Sequence, residues 1–254
     1  MNVTLQEILS LAKTLEEELP PLPQLPTAPR GAELARWMDL TLLKPEATSE
    51  QIKALCTDAA RYRFATVCVN PLYVSLARSL LQDSGVGVCT VIAFPLGATL
   101  PDLKACETRA VIERGASEVD MVINLGALKG GDYALVLNDI LAVTEEAHAR
   151  AVSVKVILET ALLTRYEKIL VCLLARAAGA DFVKTSTGFG PGGATTADVS
   201  LLRRVVGDAL GVKAAGGIRT LSEALAMISA GANRLGVSAG VAIVREAMLP
   251  GDKP

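Results

Sequence analysis

Eight short apolar runs, rich in β-branched residues, recur along this 254-residue chain, and their spacing constrains the fold more than any other feature of the sequence. Each run is separated from the next by a longer segment with the apolar periodicity of a helix. The runs end near Leu43, Val69, Ile92, Ile123, Leu158, Thr185, Ala214 and Val237. Successive ends are 23 to 35 residues apart, which leaves room for a loop, one helix and a turn. Strands that alternate with helices form a parallel sheet, so eight such units predict a closed (β/α)8 barrel.

Two further observations favour the barrel over an open, doubly wound sheet. A dinucleotide-binding sheet would carry a G-x-G-x-x-G sequence after its first strand, and none follows the first apolar run here. In addition, Gly115, Gly179 and Gly231 each lie between a helical segment and an apolar run. Because glycine commonly ends helices, these three residues indicate a repeated helix-to-strand junction.

The first thirty residues have a different pattern and are predicted to lie outside the barrel. Residues 4–19 have apolar positions at helical spacing, with Thr4 as the N-cap and Glu7 three residues on. Residues 20–29 hold five of the twelve prolines, which favour an extended linker. We therefore predict an N-terminal helix and linker over residues 1–30 and a catalytic barrel over residues 31–254. The apolar face of the helix could be buried on the barrel or on a second subunit.

The composition excludes several classes of protein. With 51% hydrophobic and 20% charged residues, the chain can bury a large core, which excludes a disordered chain. A formal net charge of -2 gives no basic surface for nucleic acid or for a membrane. No uncharged apolar run reaches the roughly 18 residues of a membrane helix, and the N-terminus does not resemble a signal peptide. We expect a cytoplasmic protein that acts on small molecules.

The histidine and cysteine counts narrow the chemistry further. The chain has one histidine, His148, which excludes most zinc sites and Ser-His-Asp triads. We expect His148 to be a solvated helix position. Five cysteines lie in or beside apolar segments without paired spacing, which predicts reduced core thiols. Any catalytic acid, base or nucleophile must then be a Lys, Asp, Glu, Tyr or Cys residue.

Four charged residues interrupt apolar strands four to seven, in order Asp120, Lys155, Lys184 and Lys213. Catalytic residues of barrels gather at the carboxyl ends of the strands. Because side chains alternate along a strand, these four either point into the barrel mouth or lie against the helices, where a charge would be costly. We predict that all four point into the mouth.

The four charges suit Schiff-base chemistry. Desolvation and neighbouring cations lower the pKa of a lysine, which makes the neutral amine available as a nucleophile. A second lysine would adjust that pKa, and a carboxylate would relay protons. The alternative interpretation is a buried salt network that only fills the barrel.

Glycine-rich segments after strands six to eight predict a phosphate site. They are residues 185–188 (TSTG), Gly216 with Gly217, and residues 236–240 (GVSAG). Glycines let the backbone approach a ligand, and amides at a helix start face an anion. Each segment alone would be read as a tight turn. Together they predict a small phosphorylated aldehyde or ketone as the substrate.

Seven ordered motifs give the chain a resemblance to the deoxyribose-phosphate aldolase family of class I aldolases. They are residues 39–45 (DLTLLKP), 67–71 (VCVNP), 91–97 (VIAFPLG), 118–124 (EVDMVIN), 155–160 (KVILET), 182–189 (FVKTSTGF) and 212–219 (VKAAGGIR). The resemblance implies a (β/α)8 barrel that reversibly cleaves 2-deoxy-D-ribose 5-phosphate to acetaldehyde and D-glyceraldehyde 3-phosphate. It also implies a homodimer or homotetramer with no metal and no organic cofactor.

The same resemblance implies roles for individual residues. Lys184 would be the Schiff-base lysine, Lys213 the lysine that adjusts it, and Asp120 the proton-relay carboxylate. The substrate-binding residues would be Asp39, Thr41, Cys68, Lys155, Thr187, Gly188, Gly216, Gly217, Gly236 and Ser238. Cys68 is expected to be a packing thiol at the mouth, and Glu159 is expected to form a structural ion pair.

The chain departs from many relatives at a few positions. Ala215 and Ala239 replace serines, Phe189 stands where some relatives have lysine, and no tyrosine follows Tyr166, so the tail from Leu249 to Pro254 has none. These differences affect the expected phosphate affinity and rate. Two other classes stay open at this point: a different phosphosugar barrel enzyme, and a barrel that binds a phosphorylated ligand without catalysis.

Overall fold

Eight parallel strands form a closed barrel in the order of the sequence. The structure is a computed structural model that describes residues 3–249. The strands are β1 (Met38–Leu42), β2 (Thr66–Val69), β3 (Gly87–Ile92), β4 (Glu118–Val122), β5 (Ser153–Ile157), β6 (Phe182–Lys184), β7 (Gly211–Ala215) and β8 (Arg234–Val237). Closure is made by β8, which pairs with β1 in parallel. The predicted barrel is confirmed, and each predicted strand end lies within one residue of the observed one.

Helices connect the strands on the outside of the barrel. They are α1 (Leu5–Glu17), α2 (Ser49–Tyr62), α3 (Val74–Leu80), α4 (Pro101–Glu113), α5 (Leu125–Lys129), α6 (Tyr133–His148), α7 (Arg165–Ala177), α8 (Thr196–Val206), α9 (Leu221–Ser229) and α10 (Gly240–Ala247). The three glycines predicted to end helices follow α4, α7 and α9, and all three have positive φ, at 103°, 77° and 119°. Left-handed backbone of this kind ends a helix at little cost only when the residue is glycine.

The main core lies between the strands and the helix layer. Strand residues such as Val67, Val119, Val154 and Val212 point outward and are completely buried beneath the helices. Strands covered on both faces read as nearly continuous apolar runs, which explains why the sequence showed runs rather than alternation. The inward-facing residues are then free to be polar.

The N-terminal helix α1 packs on the barrel itself, against α7. Its start has the predicted capping box between Thr4 and Glu7. Its apolar face buries Ile8 and Ala12. The guanidinium of Arg204 donates hydrogen bonds to the carbonyls of Leu19 and Pro20, at 3.0 and 2.6 Å. The apolar face of this helix is therefore buried on the barrel, one of its two expected partners, while the division at residue 30 stays a prediction about domains.

Residues 18–30 form no helix or strand, and a 3-10 helix, Gly31–Trp37, leads from them into β1. None of the helices within residues 3–249 is long and apolar enough to cross a membrane. All five cysteines are free, but Cys106 is exposed. The prediction of a core thiol is therefore wrong at Cys106, which lies on the solvent face of α4.

Candidate active site

The predicted charges converge inside the barrel. Strand register pairs Asp120 with Lys155, and Lys184 with Lys213, on neighbouring strands. Asp120, Lys155 and Lys213 are completely buried, and Lys184 is 3% exposed. All four side chains point into the barrel and away from the helices, which confirms the prediction.

Asp120 is the centre of the cluster. Its Oδ2 accepts hydrogen bonds from the ammonium groups of Lys184 and Lys213, both at 2.7 Å. Its Oδ1 accepts one from Lys155 at 2.9 Å. One carboxylate therefore holds three ammonium groups from β5, β6 and β7 within hydrogen-bond distance. Charge-assisted bonds of this length are the stronger class of hydrogen bond.

Two further carboxylates and one arginine complete the cluster. Asp39 Oδ2 lies 2.5 Å from Lys213 Nζ, and Glu118 Oε2 lies 2.5 Å from Lys155 Nζ. The guanidinium of Arg234 lies 2.6 Å from Asp39 and 3.3 Å from Glu118. Four cations thus face three carboxylates, so the interior is closer to neutral than the three lysines alone would suggest.

Glu118 and Arg234 are not among the residues predicted from the sequence, although the strand pattern contains a signal for both. Glu118 lies two residues before Asp120 on β4, and Arg234 lies two residues before Gly236 on β8. Because side chains alternate along a strand, a charge two positions from an inward residue also points inward. Applying that rule would have found both residues.

These contacts change the pKa values of the cluster. Burial favours neutral Asp120, but Lys155, Lys184 and Lys213 outweigh it and hold the pKa of Asp120 well below its usual value. Burial also opposes charge on Lys213, yet Asp120 and Asp39 raise the pKa of Lys213 above its ordinary value. The pKa of Lys155 is raised in the same way, by Asp120 above all. The carboxylates therefore keep Lys155 and Lys213 in their charged forms, as expected for Lys213.

Cys68 is completely buried in a small apolar cluster with Leu43, Cys89, Val91 and Phe94. A hydrogen bond with the Cys89 thiol lowers the pKa of Cys68, whereas burial raises the pKa of Cys89. The Cys89 sulfur lies 3.1 Å from Asp120 Oδ1. Cys68 therefore packs beside the charged cluster, as its expected role as a packing thiol requires.

Among residues 3–249, two groups of side chains are close enough together to be considered as metal ligands. Ligand atoms of Cys68, Cys89 and Asp120 lie within 4.8 Å of one another, as do those of Asp39, Cys89 and Glu118. The carboxylates of both groups are already paired with ammonium or guanidinium groups. A divalent cation would have to displace those pairs against like charge, so neither group suits a metal.

The predicted phosphate loops meet at the same end of the barrel. Gly188 and Gly216 have positive φ, and a Cβ on Gly216 would lie 3.6 Å from the Cα of Gly188. The segments after β6 and β7 therefore touch. Gly236 on β8 leaves room for Lys213, because a Cβ there would lie 3.0 Å from Lys213 Cε.

The remaining predicted residues lie near the same end of the barrel. Thr41 is half-buried on β1, and its hydroxyl donates to the Asp39 carbonyl at 2.9 Å. Gly217 follows β7 with a positive φ of 85°, and Ser238 follows β8 directly. Ala239 gives α10 no side-chain cap. The Tyr-free tail beyond Leu249 lies outside the described residues.

Glu159 differs from what the sequence predicted, whereas His148 agrees with it. Glu159 is in no ion pair within residues 3–249; its carboxylate accepts from the backbone N–H of Thr187 at 3.2 Å and from the Thr187 hydroxyl. The expected ion pair is wrong because the loop after β6, not a cation, reaches the carboxylate. His148 is exposed at the end of α6, as expected, but its Nε2 also lies 3.0 Å from Asp181.

A closed eight-stranded barrel with a charged cluster buried inside it defines the class of (β/α)8-barrel enzymes. Within that class, the chain belongs to the DeoC/LacD family of aldolases, whose sequence model matches residues 34–248. The match spans all eight strands, from the 3-10 helix before β1 to the end of α10.

Individual relatives agree with that assignment. The chain is 61% identical over 212 residues to the deoxyribose-phosphate aldolase of Halalkalibacterium halodurans, covering 83% of this chain and 94% of that protein. It is 57% identical over 219 residues to the deoxyribose-phosphate aldolase of Thermococcus gammatolerans, covering 85% and 97%.

Solved structures show the same barrel. A protein from Coccidioides immitis, assigned as a deoxyribose-phosphate aldolase, matches with a TM-score of 0.91 and 44% identity, covering 97% of this chain and 99% of that one. The deoxyribose phosphate aldolase of Aeropyrum pernix, described as having a unique tetrameric structure, matches with a TM-score of 0.80 and 32% identity, covering 96% and 98%.

Proposed function

We propose that this chain is a class I, Schiff-base aldolase that reversibly cleaves 2-deoxy-D-ribose 5-phosphate to acetaldehyde and D-glyceraldehyde 3-phosphate. The observation that carries the proposal is the binding of three lysines to one buried carboxylate, Asp120, at 2.7 to 2.9 Å. A Schiff-base aldolase needs an amine nucleophile, a second cation and a proton relay in contact, and this cluster contains all three.

Lys184 suits the role of nucleophile best among the three lysines. Lys213 lies within 2.7 Å of both Asp39 and Asp120, and Lys155 lies within 2.9 Å of both Glu118 and Asp120. Lys184 has Asp120 as its one ion-pair partner within residues 3–249. It is also the one lysine of the three with any exposed surface, at 3%. It therefore has fewer carboxylate partners than the other two lysines, and we place the substrate carbonyl beside it.

The reaction follows from this placement. The neutral Lys184 amine attacks the C1 aldehyde of the open-chain sugar, and loss of water gives an iminium. Asp120, through a water molecule, removes the C3 hydroxyl proton; the C2–C3 bond breaks and its electrons move into the iminium. Glyceraldehyde 3-phosphate leaves. The enamine is then protonated at C2 and hydrolysed to acetaldehyde, which restores the free amine.

Lys213 stays protonated throughout, because Asp120 and Asp39 raise its pKa. Lys213 is the lysine that adjusts Lys184 in this proposal, because both donate to the same carboxylate oxygen, Asp120 Oδ2, at 2.7 Å. Asp39, Thr41, Cys68 and Lys155 line the substrate end of the cluster in this proposal.

The phosphate group binds where the loops after β6, β7 and β8 meet. Backbone amides of these loops and of the first turn of α10 supply the donors. The proposed binding residues are Thr187, Gly188, Gly216, Gly217, Gly236 and Ser238. Alanine at positions 215 and 239 offers no hydroxyl donor, so backbone amides carry more of the binding here.

Trapping the Schiff base tests the assignment. Treatment with acetaldehyde and borohydride should add a reduced two-carbon adduct at Lys184, located by peptide mass spectrometry, and Lys184→Met should abolish it. An adduct at Lys155 or Lys213, or no adduct, would contradict the assignment of Lys184 as the Schiff-base lysine. A coupled assay for cleavage of 2-deoxyribose 5-phosphate separates this function from another phosphosugar enzyme and from a barrel without catalysis.

We further propose that the protein is a cytoplasmic homodimer or homotetramer. The tetramer described for the Aeropyrum pernix relative supports assembly, and the free cysteines suit a reducing compartment. Light scattering of the purified protein gives the number of copies.

A further inference from the structure

A buried carboxylate at the end of β5 connects two loops of the barrel mouth and has no part in the proposed chemistry. Glu159 is 3% exposed, and its backbone is left-handed, with φ 56° and ψ 62°. Residues other than glycine rarely adopt this conformation, and it persists where the surrounding structure requires it. Such positions cluster at ligand-binding and catalytic sites, which points to a functional role for this carboxylate.

The loop after β6 wraps around this carboxylate. Glu159 Oε2 accepts hydrogen bonds from both the backbone N–H and the hydroxyl of Thr187. The Thr187 Oγ1 in turn accepts from the backbone N–H of Phe189 at 3.0 Å. Gly190 packs directly on the carboxylate, because a Cβ there would lie 2.7 Å from Glu159 Cδ. Residues 187–190 therefore take their shape from one side chain of the preceding loop.

The same segment forms part of the proposed phosphate site. It begins three residues after Lys184 and includes Gly188, whose Cα lies against Gly216 of the loop after β7. The N–H groups available to an anion in this segment depend on its conformation. A shift of residues 187–190 would move those donors while leaving Lys184 in β6.

We propose that Glu159 is a positioning residue that sets the conformation of residues 187–190 and thereby the affinity for the substrate's phosphate group. It does so without touching the reacting atoms. This inference rests on the proposed function for the identity of the substrate. It predicts an effect that depends on whether the substrate carries a phosphate, which a merely structural residue would not produce.

The test compares cleavage of 2-deoxyribose 5-phosphate with cleavage of 2-deoxyribose. Glu159→Ala and Thr187→Val should each raise KM for the phosphorylated substrate about tenfold, the loss expected for one strong hydrogen bond. Glu159→Ala should leave kcat/KM for 2-deoxyribose within about twofold of the unmodified protein, because Glu159 contacts none of the reacting carbons. The double variant should raise KM for the phosphorylated substrate no further than the single variant with the larger effect, because both changes break the same contact.

Two further variants separate positioning from folding. Glu159→Gln keeps an oxygen that can accept both Thr187 donors, so it should restore most of the phosphate affinity. Glu167→Ala is the matched control: Glu167 accepts from the backbone N–H of Thr164 at 2.7 Å in the capping box of α7, away from the loop after β6. It should lower the melting temperature without changing KM. Circular dichroism establishes that each variant is folded.

Inorganic phosphate makes the result independent of the cleavage assay. Its Kd, measured by calorimetry, should rise about tenfold in Glu159→Ala, while borohydride trapping of acetaldehyde on Lys184 should be unchanged. If the unmodified protein cleaves no 2-deoxyribose 5-phosphate, the proposed function fails and the phosphate titration still decides the role of Glu159. Equal phosphate affinity in all variants, or equal loss on both sugars, would overturn the positioning role.

Discussion

The ionisation of Asp120 shows how strongly the charge of one residue can depend on its surroundings. It is completely buried, which by itself would favour the neutral acid. Three ammonium groups at 2.7 to 2.9 Å reverse that preference. An ionised carboxylate in this position organises the lysines, and the proton relay that we propose for Asp120 depends on the same charge.

Asp120→Asn should lower the free energy of unfolding at pH 7 by about 3 kcal/mol, because it leaves buried ammonium groups without their shared partner. The folded pKa of Asp120 lies below its unfolded value of about 3.8. Its contribution is therefore complete above that pH and is lost as the pH falls towards the folded pKa.

Urea unfolding of both proteins between pH 3 and pH 8 checks this prediction. The difference between them should be constant above about pH 5 and should shrink below about pH 4. A difference that instead grows as the pH falls would show that Asp120 is not held ionised by the lysines. Asp102, exposed in the first turn of α4, gives a matched control as Asp102→Asn.

At the scale of elements, the end of β4 is fixed by a second buried ion pair outside the barrel interior. Lys104 on α4 and Asp139 on α6 are both completely buried, with Lys104 Nζ 2.6 Å from Asp139 Oδ2. Lys104 also donates to the Val122 carbonyl at 2.7 Å, and Asp139 accepts from the Asn124 N–H at 3.1 Å. Two helices are thereby tied to the strand that carries Asp120.

This pair should matter for stability mainly when one partner is removed. Burial raises the pKa of Asp139 and lowers the pKa of Lys104, so burial opposes both charges. Lys104→Met should destabilise the protein by about 3 to 5 kcal/mol, because it leaves the buried carboxylate of Asp139 without its ion-pair partner. The double variant Lys104→Met with Asp139→Leu should recover much of that loss.

Denaturant unfolding of the two single variants and the double variant measures this coupling. If the double variant lost the sum of the two single losses, the ion pair would contribute nothing as a pair. The exposed pair Lys53 and Glu50 serves as the comparison, and its removal should cost less than about 1 kcal/mol.

At the scale of the whole molecule, the apolar residues form both the core of the barrel and the contact between the barrel and its N-terminal helix. The barrel needs two buried faces on each strand, and α1 adds a further apolar contact on the outer surface of α7. Ile8 and Ala12 are buried there, far from the charged interior. The N-terminal segment is therefore expected to contribute to stability and not to chemistry.

Ile8→Ala should lower the free energy of unfolding by about 2 kcal/mol, since it opens a cavity beneath α1. The kinetic constants for 2-deoxyribose 5-phosphate should not change. Leu11→Ala is the control, because Leu11 is 38% exposed and should lose much less. A fall in kcat of Ile8→Ala under conditions where the protein stays folded would contradict a purely stabilising role.

The strand pattern and the main reactive residues could be predicted from the sequence because both are local signals. Apolar runs mark buried parallel strands, and a lysine or aspartate inside such a run is conspicuous without any knowledge of its neighbours. The helix-ending glycines and the capping box at Thr4 are equally local. Lys184, Lys213 and Asp120 can be recognised in this way from the sequence, because each interrupts an apolar strand.

The partners of those residues were decided by the tertiary structure alone. Lys213 and Asp120 are 93 residues apart in sequence but 2.7 Å apart in space, and Asp39 and Arg234 meet only because β8 pairs with β1. Barrel closure also brings together the carboxylates that hold Lys155 and Lys213 in their charged forms. It places the loop after β6 around Glu159, and it places α7 where α1 can pack on it. Periodicity reports which face of an element is buried; only the folded chain determines which charge lies opposite which, and the pKa values follow from that.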